Sequence, residues 1–149
     1  MTAKAAIAPS VSGSITSPTS GAANIPSPKT LTAAGTVQHL ESGHHLLVFL
    51  QFGGQQKYFG GDPDVVVNSA GHWSGTVCVG DPGAIALWLV DMGPAGFAAL
   101  ESPAHNYWGN GVPFLPSKLA PDVIILDRVS ITAVRTATNC AKHEPQYYG

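Results

Sequence analysis

Six histidines, nine acidic residues and two cysteines are the groups of this 149-residue chain that could do chemistry. His39, His44 and His45 have the spacing H-x4-H-H, which invites a metal site. Neighbouring side chains on a strand point to opposite faces, so one ion cannot share His44 and His45 there. A site stays open only if the pair lies in the turn before the strand; otherwise these are turn and edge histidines. His72, His105 and His143 are scattered over turns and loops and form no visible triad. Asp62, Asp64 and Asp81 stand beside Gly and Pro, where such side chains bond their own backbone. Asp62 and Asp64 lack the Gly and Glu that complete a calcium loop. The expectation is therefore no metal and no cofactor.

A nucleophile is the next chemistry to weigh. Gly71-His72-Trp73-Ser74-Gly75 superficially resembles G-x-S-x-G. Ser74 is one place late, however, and sits in a strand with no strand-to-helix elbow. Nothing marks a third group or an oxyanion hole, so no catalytic residue is expected. Cys78 and Cys140 are 62 residues apart with no C-x-x-C, which excludes a zinc motif by spacing. One disulfide would fit an oxidising compartment, and two free thiols a reducing one.

The aromatic residues are more suggestive. Tyr107, Trp108 and Phe114 cluster between Pro103 and Pro116, and Tyr147-Tyr148 tip the C-terminal tail. Aromatic side chains dominate interface hot spots and stack on sugars or peptides, which makes 103–116 a candidate recognition loop. The competing reading is that this loop folds back over the open end of the domain and buries Trp108 and Phe114. Trp73 and Trp88 read as core.

The elements that must position these residues are strands. Short β-like runs recur between Gly/Pro turns: Ser14–Ser17, Leu31–Val37, His44–Phe52, Gln56–Phe59, Asp64–Asn68, His72–Val79, Ala84–Val90 and Val123–Val134. HHLLVFLQF is a strongly apolar, branched and aromatic run and AIALWLV is apolar throughout, as suits strands covered on both faces. In His72–Val79 the period of two puts Trp73, Gly75, Val77 and Val79 on one face. Pro94–Glu101 can make a short helix, Pro94 being tolerated in its first turn. A long aromatic loop over 102–121 then leads to the last strand.

Composition bounds the partners. Only 11% of residues are charged, where an ordinary soluble domain has roughly 25%. The net charge of -2 leaves no basic footprint for nucleic acid. No apolar run reaches 18 residues, so no membrane-spanning helix is expected. Low charge repels neighbours weakly and favours association.

The ordered motifs Ile15–Pro18 (ITSP), Ala34–Thr36 (AGT), Gly43–Leu50 (GHHLLVFL), Lys57-Tyr58-Phe59 and Gly71–Val77 (GHWSGTV) resemble bacterial immunoglobulin-like domains of an uncharacterised actinobacterial type. Phe97-Ala98-Ala99-Leu100, Leu115-Pro116 and Asp127–Thr132 (DRVSIT) continue the order. The resemblance covers roughly residues 14–136. It implies an all-β, Ig-like antiparallel sandwich of about seven strands, with one short helix before the last. It also implies a displayed or appended domain without catalytic residues.

The chain then divides into a flexible leader (1–13), the sandwich (14–136) and a tail (137–149). The leading function is a non-enzymatic binding or assembly module, acting through end loops, the aromatic loop 103–116 among them, or through an edge strand. Its partner would be a protein or glycan surface, with a homo-oligomer or larger assembly also open. A structural subunit of a virion or other extracellular particle is the alternative, and a hydrolase a remote one. The expected location is extracellular or particle-associated. The chain carries no signal peptide as it stands, and the cytoplasm stays open.

Overall fold

The computed structural model describes residues 10–60, 65–105 and 107–140. In chain order its elements are β1 (Ser12–Ser17), β2 (Ile25–Ser27), β3 (Lys29–Gln38), β4 (His45–Phe52), β5 (Phe59–Gly60) and β6 (Val66–Val67). There follow β7 (His72–Val79), β8 (Gly83–Met92), α1 (Pro94–Glu101), α2 (Tyr107–Asn110), a 3-10 turn (Pro116–Lys118) and β9 (Val123–Arg135). The strands form two sheets, β1-β3-β7-β6 and β2-β9-β8-β4-β5. Immunoglobulin domains put their strands A, B, E and D in one sheet and C, F and G in the other. The same order is met here, with β2 and β5 added at the margins of the second sheet.

Several expectations need correction in detail. Among the described residues nine strands stand where eight runs were marked, because Ile25–Ser27, with Pro26, makes a short strand of its own. That strand pairs β9 in parallel, so the sandwich is not wholly antiparallel. The stretch 102–121 is not a plain loop but carries α2 and the 3-10 turn. Ser12 and Gly13, assigned to the leader, already pair with Gln38 and Val37. The expected tail is anchored through Cys140, which is buried. The rest of the leader (1–9), Asp62, Asp64, His143, Tyr147 and Tyr148 lie outside the described residues.

Alternation along the strands explains why β4 has no polar face. Leu46, Val48, Leu50 and Phe52 point into the sandwich, against Trp73, Val77, Leu87, Leu89, Val129 and Ile131. Leu47 and Phe49 point the other way, into a second cluster with Val90, Met92, Leu100, Val112 and Val123. A sheet covered on both faces demands continuous apolar runs. The chain between β8 and β9 supplies the extra cover as a third layer.

That layer closes on itself through Asp122. Gly93, at the N-cap of α1, has no side chain to cap the helix. The Asp122 carboxylate takes over, accepting the Ala95 N–H at 2.8 Å and the Gly96 N–H at 2.9 Å. The Gly93 N–H also bonds the Asp122 carbonyl at 2.9 Å, so both ends of the insertion meet. Leu100, 1% exposed, anchors the helix in the outer cluster.

Candidate functional site

The insertion places the aromatic residues singled out from sequence on the outer face of the second sheet, not at an open end of the sandwich. Tyr107, Trp108 and Phe114 are half-buried and pack on the cluster of Leu47, Phe49, Tyr58 and Leu100. Tyr107 meets Phe114 edge to face at 6.2 Å and carries the exposed ring of His105 stacked on it at 4.8 Å. Gly60 leaves room for the Trp108 indole: a Cβ there would lie 2.7 Å from the ring. Trp88 is not core as expected but half-buried on the same face. Its Nε1–H donates to Gln51 Oε1 at 3.2 Å, and the Arg128 guanidinium sits 5.1 Å above its ring.

Sheet margins are the second set of contacts a partner can use, since an edge presents unpaired N–H and C=O groups. Three of the four are covered or blunted. On β1 the Ile15 N–H donates to Asp127 Oδ2 at 2.7 Å. On β5 a two-way bridge between Tyr58 and Val112 closes the margin. β2 contains Pro26 and is followed by Pro28, neither of which has an N–H. The fourth, β6, differs: Val66 is 66% exposed and Val67 38%.

The register shows what β6 offers. Val66 and Val67 pair with Ser74 and Trp73, and the hairpin is closed by Asn68 N–H to His72 O at 2.9 Å. Bonded and non-bonded pairs alternate in an antiparallel ladder, so the N–H and C=O of Val67 point away from β7. Val65 folds inward over Gly75, where a Cβ would come within 2.7 Å of its methyl.

The remaining candidates separate. His44 and His45 do point apart: the His45 ring stacks on Phe97 at 3.8 Å, while His44 turns to the opposite face. His39 and His72 are exposed, and Ser74 lies on the exposed face of β7. Among the described residues no three His, Cys, Asp or Glu are placed to hold a metal ion. Cys78 and Cys140 form a disulfide with a Cα–Cα distance of 5.6 Å.

Sequence reasoning missed Asp91, a buried carboxylate 1% exposed on the inner face of β8. Its Oδ1 lies 2.8 Å from His44 Nδ1, and Glu41 Oε2 lies 3.2 Å from His44 Nε2. The available signal was the one charge inside the apolar run Ala84–Met92.

No known family model matches the chain, and no curated protein is similar to it. Solved structures of similar shape include Dpr11 IG1 bound to DIP-gamma IG+IG2, at 7% identity and a TM-score of 0.34, over 84% of this chain and 50% of that one. Another is Dpr1 IG1 bound to DIP-eta IG1, at 6% identity and a TM-score of 0.32, over 85% and 96%. The chain spans about half the length of the first of these. Strand order, rather than these distant likenesses, identifies the fold.

Proposed function

We propose that the chain is a non-enzymatic binding module whose protein partner adds an extended segment to the free edge of β6. One observation carries this reading: three sheet margins are plugged, bridged or proline-bearing, while β6 leaves two apolar side chains exposed. In strand addition the main-chain bonds supply affinity, and pockets for alternate side chains supply specificity. The outward N–H and C=O of Val67 give the first, and the exposed Val66 and Val67 side chains the second. The Cys78–Cys140 disulfide supports an oxidising, extracellular setting for this contact. Among the described residues no helix is long and apolar enough to cross a membrane.

A second contact surface is favoured by a separate observation. Tyr107 and Phe114 are half-exposed on the rim of the third layer, with His105 stacked outside. Aromatic rims of this kind suit a protein or glycan partner.

Selection of peptides from a displayed random library against the immobilised chain tests both. Selected peptides should be rich in β-branched residues, and Val66→Lys should weaken them by about tenfold or more. Tyr107→Ala should leave their binding unchanged. Peptides that ignore Val66→Lys but are lost with Tyr107→Ala would transfer the contact to the aromatic rim. Light scattering of the same variants covers a particle subunit: self-association abolished by Val66→Lys makes a second copy the partner.

A further inference from the structure

The residues leading into β1, the β3–β4 turn, the end of β8 and the entry to β9 line a cleft of about 600 Å³ at one end of the sandwich. Among the described residues its polar wall is formed by Ser10, Glu41, His44, Asp91 and Asp122, and its apolar wall by Val11 and Ile124. We propose that this cleft binds a primary alkylammonium group, of the kind carried by a lysine side chain or a free diamine.

The argument starts from Asp91. A carboxylate taken out of water is costly unless its oxygens are paired. Asp91 is 1% exposed, yet only Oδ1 is bonded, to His44 Nδ1 at 2.8 Å. Among the described residues Oδ2 has no partner, and the residue lines the cleft. Glu41 stands across the imidazole, its side chain 75% exposed, and Asp122, whose two oxygens already cap α1, adds only its negative charge to the wall. No Lys or Arg is among the described lining residues, so the wall attracts a cation.

Geometry narrows which cation. A guanidinium docks as a planar fork on two free acceptors, and Asp91 offers one. An ammonium is compact and carries three rotatable donors, so a single free carboxylate oxygen is enough to seat it. A metal ion is disfavoured, since no three described ligand residues converge on one point. Ile124 is 46% exposed and stands directly across from Asp91 on β9, with Val11 opposite. Methylene stems lie along such apolar surface while their charged head is held elsewhere. The cleft is within the roughly 300–1,000 Å³ of small-molecule sites.

Amide chemical shifts of the isotope-labelled full chain, titrated at low salt, test this. n-Butylammonium should shift amides of Glu41, His44, Asp91 and Ile124 saturably, and n-butanol should not. Asp91→Asn should weaken binding by about tenfold or more. Glu41→Gln, an exposed change that leaves the fold intact, should weaken it by about two- to threefold. Val66→Lys should leave the titration unchanged, which separates this site from the β6 edge. N-acetyl-lysine N-methylamide binding more tightly than cadaverine assigns a lysine side chain as the ligand; the reverse assigns a free diamine. Equal shifts with n-butanol or with calcium chloride overturn the proposal. So does unchanged n-butylammonium binding in Glu41→Gln together with Asp91→Asn, or in Glu41→Gln alone if Asp91→Asn does not fold.

Discussion

Trp73 shows how one side chain ties several strands. It is 2% exposed, and its Nε1–H is shared between the carbonyls of Ser14 and Thr36, both at 3.1 Å. Gly35, beside Thr36 on β3 and paired with Trp73, leaves room for the ring: a Cβ there would sit 2.9 Å from the indole nitrogen. Phenylalanine at this position keeps most of the apolar contact but leaves two part-buried carbonyls short of a donor. Trp73→Phe should therefore cost about 1–3 kcal/mol, read as a lowered urea midpoint. The inward position of Trp73 was legible from the period of two. Its hydrogen bonds were not, because both acceptors come from strands distant in sequence. The same applies to His44 and Asp91, 47 residues apart: each is visible alone, and only the sheet register brings them together.

At the scale of the elements, the margins of the sheets carry the clearest forecast. β9 pairs residue for residue with β8 until it skips Leu126, opposite Leu89 and Val90. Asp127 sits beside that irregularity and sends its carboxylate to the Ile15 N–H of β1, in the other sheet. Removing the acceptor leaves a buried donor unpaired and opens the β1 edge. Asp127→Ala should lower stability by about 1–3 kcal/mol and raise light scattering at high concentration. Asp127→Asn, which keeps an acceptor oxygen, should recover most of both. Helix α1 was legible, since Pro94 opens it and Ala and Leu fill it. The single turn of α2 was not, because four residues carry too little periodicity to mark a helix. Strand β2 was also hidden: three residues, one of them proline, read as linker until β9 is there to pair with them.

Across the whole molecule, one covalent tie joins β7 of the first sheet to the segment that leaves β9 of the second. The Thr136 N–H bonds Ser27 O at 2.8 Å and Thr138 Oγ1 bonds Pro28 O at 2.7 Å, which guides the chain back towards Cys140. The cross-link closes a segment of 62 residues. Loop-closure entropy for that length makes the disulfide worth about 4 kcal/mol. The double variant Cys78→Ser/Cys140→Ser should lose about this much in urea unfolding. The parent chain unfolded in reductant should match it, whereas the variant should not respond to reductant. The pairing itself was not legible, because spacing left both a disulfide and two free thiols open.

What the sequence determined by itself is the sandwich, because alternation, Gly/Pro punctuation and continuous apolar runs are local properties of the chain. It also made opposed faces the expectation for His44 and His45 wherever both lie in the strand. Tertiary structure decided where the aromatic insertion lies. Leu47, Phe49, Val90 and Met92 leave an apolar outer face that, among the described residues, the segment between β8 and β9 covers together with Tyr58. It likewise decided which margins are covered among the described residues and which carboxylate is buried, since both depend on residues brought together from distant parts of the chain.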